Sequence, residues 1–242
     1  MSEQELELKY EYILTLRAGG ISGIIGGVIG LVTKPTFVGL LVYVFLVPGS
    51  LRGEITALLL TNAPALFMSS LVCGILSLIF AAGLMAGGKL FKVGSGLTAG
   101  FCYILIPLYY LYVAAGLAST AFPGTPLAEF SPPEPEAFIR GFAPLVLLSI
   151  YPFSILSLTY FYSSPKGDSG VSGAAIIWLG TIALYLLTTT AVFNLSSLAF
   201  TEVVSTLSLG LFFGGIIDMA IIPMGVSLLR QSKVAEAALE VR

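Results

Sequence analysis

GGISGIIGGVIGLVTKPTFVGLLVYVFLV, residues 19–47, is the stretch on which the fold turns. It is apolar for longer than the ~20 residues a bilayer requires of a spanning helix. Lys34-Pro35 nevertheless divides it into two halves, each too short to span comfortably alone. Two readings compete: one long broken helix, or a tight hairpin that adds a span. Working outward, further apolar stretches lie at about 64–88, 94–119, 141–163, 171–195 and 205–229, beside the first at 20–48. The broken-helix reading therefore gives six spans and the hairpin reading seven.

Basic residues gather on the cytoplasmic side of short loops. With six spans and both termini cytoplasmic, Lys9, Arg17, Lys89, Lys92, Lys166, Arg230, Lys233 and Arg242 lie inside, and Arg52 and Arg140 outside, eight against two. Seven spans reduce the contrast to seven against four. The charge bias thus favours an all-α, polytopic, multi-pass transmembrane bundle of six helices. Its parts are a cytoplasmic head at 1–17, a membrane domain at 18–230 with an external proline-rich loop at 122–137, and a cytoplasmic tail at 231–242. A transmembrane β-barrel is excluded because its strands alternate apolar with polar residues, whereas these runs are apolar all round.

Composition agrees with this class. The 242 residues are 57% hydrophobic and 10% charged with a mean hydropathy of +0.99, where a soluble domain carries charge on roughly a quarter of its residues. Histidine is absent, which excludes His-ligated metals, Ser-His or Cys-His nucleophiles and imidazole relays. No metal site and no cofactor are expected, and the net charge of −2 gives no basic surface for nucleic acid. Cys73 and Cys102 lie inside apolar runs, where a thiol packs as a small hydrophobe. The acidic opening SEQELELKYEY lacks the pattern of a secretory signal, so residue 1 onward is expected to be retained. That head alternates polar and apolar like a strand, yet Ser2 and Glu5 also read as a helix capping box.

An internal repeat is suggested by residues 63–78, APALFMSSLVCGILSL, which align without gaps on 143–158, APLVLLSIYPFSILSL. The copies lie two spans apart and so share an orientation, which would make them a parallel repeat of a helix pair.

Two charged residues are expensive inside a membrane. Lys34 and Asp218 each fall near the centre of a span, where one charge costs roughly 3 kcal/mol. The cheapest arrangement is that they meet, either as an ion pair that fixes how the first and last helices pack or as a midplane proton or substrate site. Gly19, Gly23 and Gly27 recur every four residues as a glycine-zipper face for close helix packing. Asn62, Asn194 and Glu202 fall near external span ends and form a candidate outer polar cluster. Tyr109, Tyr110 and Tyr112 suit a stacking surface or interior packing, and Thr188, Thr189 and Thr190 suit hydroxyl bonding to the preceding helical turn.

GGKLFKVGSGLTAGFCYILIPLYYLYVAAG, residues 87–116, resembles the central part of the Yip-type membrane family, in which a paired glycine and a short basic loop precede a helix bearing a tyrosine and a proline. The matching positions are Gly87, Gly88, Lys89, Tyr103 and Pro107. The resemblance implies a non-enzymatic bundle that binds other membrane proteins, and it offers no catalytic residues to carry over. Function is accordingly read as a non-enzymatic accessory or scaffold subunit. Its partners would be the lipid bilayer and either another membrane protein or further copies of itself. The alternative is a small transporter or substrate-binding subunit with its site at Lys34 and Asp218.

Overall fold

The computed structural model describes the backbone of residues 3–46, 52–126, 129, 135–194 and 198–240. Side chains are described at 4–32, 61, 63–108, 110, 111, 114, 115, 118, 121–126, 129, 148–183 and 215–240. The described chain is an all-α bundle: α1 (Glu3–Leu46), α2 (Arg52–Leu90), α3 (Gly94–Tyr103), α4 (Leu105–Ala121), α5 (Pro135–Ser163), α6 (Asp168–Asn194) and α7 (Leu198–Glu240).

Helix α1 runs through Lys34-Pro35 to Leu46, so the hairpin reading and its seventh span fall. The head joins this helix too. Its Glu, Leu and Lys are good helix formers, and the burial of Ile13 and Leu16 on one face holds it against the bundle. The strand alternative for residues 5–12 is thereby replaced by helix.

Each helix packs on its neighbour in sequence, and α7 returns to pack on α1, so the contacts close a ring. The α1–α7 contact is antiparallel. Gly20 lies against Leu229 and Gly27 against Ile222, while Arg17 near the start of α1 forms an ion pair with Glu236 near the end of α7. The shared core is aromatic, with Phe80, Tyr103, Phe153, Tyr160 and Phe161 fully buried.

The six-span, multi-pass reading is not supported. Among the described residues, two helices are long and apolar enough to cross a membrane, Gln4–Val32 and Ala63–Leu90; the apolar helical stretch at Gly94–Leu108 is shorter. The third apolar stretch is cut by Pro107, which has no N–H to offer the Tyr103 carbonyl and whose ring crowds it. The helix accordingly breaks at Ile104, between α3 and α4. Counting apolar runs ignored this break. With the six spans goes the topology that placed both termini in the cytoplasm by charge count.

The turns between α2 and α3 and between α5 and α6 are alike. Lys92 and Lys166 both take positive φ, 57° and 54°, and each precedes a Ser-Gly pair, Ser95-Gly96 and Ser169-Gly170. These turns lie 74 residues apart (92 and 166), which differs from the 80-residue register suggested by the apolar alignment. In the first, the Val93 N–H donates to the Gly88 carbonyl at 2.8 Å and the Lys92 N–H to the Lys89 carbonyl at 3.3 Å. That is the Schellman closure of a helix, in which the left-handed position favours glycine. Lys92→Gly removes a strained side chain at a cost in unfolded-state entropy. It is expected to raise stability by about 0.5–1 kcal/mol, read as a higher denaturant midpoint. A lower midpoint would show that the Lys92 side chain makes a contact worth more than the strain.

Candidate functional site

Glycines position the interior. A methyl group at Gly19 would sit 2.5 Å from the Gly83 Cα, so α1 and α2 touch backbone to backbone. One at Gly20 would lie 2.7 Å from the Leu229 side chain, and one at Gly27 2.6 Å from Ile222 and 2.8 Å from the Asp218 carbonyl, both on α7. Gly23 meets Phe80 of α2 and Gly225 of α7. The three glycines read as one zipper face therefore do not serve one partner helix. Gly19 turns to α2, Gly27 to α7, and Gly23 lies in the wedge between them. The reason is geometric, because a four-residue step advances around the helix by more than a full turn.

At the inner end of that wedge stands Asp218, 4% exposed. Its carboxyl occupies the space a side chain at Gly30 would fill, with Cγ 2.6 Å from where a Cβ would be. Beside it lies a small cavity of ≈ 10 Å³, room for about one water molecule. Ser22, Ser77, Tyr103, Tyr110, Cys73 and Asp218 supply its polar lining. The Ser22 hydroxyl donates to the Gly19 carbonyl at 3.0 Å, which leaves its lone pairs as acceptors. Tyr103 shares a hydrogen bond with Ser77 and lies within electrostatic reach of Asp218. Its ring is fixed between Phe80 and Phe153, with centroids 5.2 and 4.8 Å away.

A second polar cluster lies between α5, the turn after it and α7. Buried Tyr160 donates its hydroxyl to Gln231 Oε1 at 2.6 Å, and Gln231 Nε2 donates to the Ser164 Oγ at 2.7 Å. Ser227 donates to the Lys166 carbonyl at 2.9 Å, tying the strained turn to α7. Gln231, assigned from sequence to the start of a solvated tail, is fully buried.

Of the residues singled out from sequence, Asp218 lines the cavity and Tyr110 joins it. The Lys34, Asn62, Tyr109, Tyr112, Asn194 and Glu202 side chains lie outside the described residues, as do those of Thr188, Thr189 and Thr190. Ser22 and Ser77 were missed, since a lone serine in an apolar run carries no periodic signal. Gln231 was missed because RQSK reads as a helix leaving the bundle. The chain matches no protein-family model, no curated protein and no solved structure, so its resemblance to the Yip-type family rests on residues 87–116 alone.

Proposed function

We propose that the chain is a non-enzymatic helical scaffold that binds another apolar protein through the outer face of α1, at a membrane that α1 and α2 can enter. The observation that carries this reading is an inverted distribution of side chains. Leu14, Ala18, Ile21, Ile25, Val28 and Val32 all face outward on α1, at successive steps of four, three, four, three and four residues. That is the spacing of a seam that accepts a second helix. Inside, by contrast, sit Asp218, Gln231, Ser154, Ser157 and Ser227. Less than half of either candidate span is buried, 44% and 28%, whereas a soluble core helix is covered on most sides.

A photo-crosslinker at Ile25 is expected to capture a discrete protein in native membranes, and Ile21→Ser with Ile25→Ser to abolish that capture while leaving folding unchanged. A control crosslinker at Ile13, which is buried against the bundle, should capture nothing outside the chain. Crosslinking from Ile25 to lipid alone would refute the scaffold reading.

A further inference from the structure

Resting on the scaffold reading above, we propose that the helix docked on the outer face of α1 belongs to a different protein and carries lysine or arginine beside its apolar segment, at the end that meets Glu7 and Glu11.

The outward seam does not stop at Leu14. In the same alternating steps of three and four it continues toward the N-terminus through Glu11, Glu7 and Gln4, which are exposed like the rest of it. Its apolar part, from Leu14 to Val32, is ~27 Å long at 1.5 Å per residue, close to the ~30 Å of a bilayer's hydrocarbon core. Glu7 and Glu11 therefore stand where that core gives way to headgroups, on the side of α1 that a partner covers. Leu6 and Tyr10 are exposed beside them. A partner's flank meets apolar and acidic groups together there, which suits the aliphatic stems and charged tips of lysine and arginine.

Helix α1 carries these two carboxylates at a cost. Acidic side chains stabilise a helix N-terminus only within its first turn, and α1 begins at Glu3, so Glu7 and Glu11 lie beyond that turn. As like charges four residues apart they weaken the helix. Lys9, two residues from each, projects from a different face. Arg17 is turned to Glu236 of α7, and Lys89 of α2 lies over the Tyr12 ring at 6.0 Å. A basic group on a partner converts this repulsion into attraction.

The same charges decide against a second copy of the chain. A copy inserted in the same direction pairs the seam with itself, each position against its own counterpart. Glu7 then faces Glu7, and Glu11 faces Glu11. Flanking charges choose the partner of a helix seam by this kind of repulsion as much as by attraction.

The test uses the full chain in an uncharged detergent and three fluorescent synthetic helices. All three share one apolar segment with alanine and leucine at alternating steps of three and four. They differ only in the two turns at one end, which carry lysine, glutamine or glutamate at the seam positions. Binding is read by anisotropy above the baseline of Ile21→Ser with Ile25→Ser. The lysine helix is expected to bind about fivefold more tightly than the glutamine helix at low salt, with the glutamate helix weakest and the preference shrinking at high salt. Glu7→Gln with Glu11→Gln should erase the preference, and Glu7→Lys with Glu11→Lys should invert it. Equal binding of the three helices to the parent would overturn the charge inference and leave the scaffold reading standing. Binding of none above the baseline would overturn the scaffold reading and this inference with it. Crosslinks from Ile25 between two parent copies that the lysine helix does not displace would overturn it in favour of a second copy.

Discussion

Gly19→Leu is expected to cost the folded state about 3 kcal/mol or more, the upper end of what overpacking a core does. It should appear as a collapse in yield of monodisperse protein and a lowered denaturant midpoint. The magnitude follows from what the new side chain meets. At Gly19 the nearest atom to a Cβ is the Gly83 Cα at 2.5 Å, followed by the Gly83 nitrogen at 3.1 Å and the Ile79 carbonyl at 3.2 Å. All three belong to the backbone of α2, so no rotamer change relieves the clash and the helices must separate. Separation there also withdraws Gly23 from Phe80 and loosens the wall of the Asp218 cavity. Gly94→Ala provides the contrast, since nothing lies within 4 Å of its Cβ position. It should be neutral or stabilise by up to ~1 kcal/mol through helix propensity. If Gly19→Leu and Gly94→Ala behave alike, the α1–α2 contact does not hold the fold together.

The second large effect is expected at Gln231. Its amide accepts from Tyr160 and donates to Ser164, with both ends buried. Gln231→Leu leaves the buried Tyr160 hydroxyl without its acceptor, a penalty of about 1–3 kcal/mol, and removes the donor to Ser164, whose own hydroxyl still donates to the Phe161 carbonyl. A loss of roughly 2–3 kcal/mol is therefore expected. Tyr160→Phe alone strands one amide oxygen and should cost about 1–2 kcal/mol. The double variant should cost less than the two singles added together, because each removes the other's orphan. Strict additivity in denaturant unfolding would show that the buried amide and phenol act independently.

How far this architecture can be read from the chain depends on which physical rule each residue obeys. Helical character was legible because the apolar runs are long and continuous, and the cost of burying Asp218 drew attention to the carboxylate that lines the cavity. Close packing was legible at Gly19, Gly23 and Gly27, but its direction was not. A glycine reports that something comes near without reporting which helix, and the division between α2 and α7 is a tertiary outcome.

Span counting failed for a different reason. Hydropathy sums side chains and is blind to the backbone, so Pro107 passed as one more residue in an apolar run although it ends α3 at Tyr103. Ser22, Ser77 and Gln231 escaped because their role comes from partners on other helices. Gln231 meets a residue 71 positions away, a distance at which no local pattern operates.

The ring of helices closes between its first and last members, and this sets an order of events during synthesis. Gly27 of α1 rests on Ile222 and Asp218 of α7, so that face of α1 has no cover until α7 has been made. At typical translation rates the intervening chain takes about 10–40 s to emerge. Throughout that interval the nascent chain exposes a bare glycine surface that any passing apolar helix can occupy. Nascent chains arrested before α7 should therefore be bound by chaperones and cleared by proteases far more readily than the finished bundle.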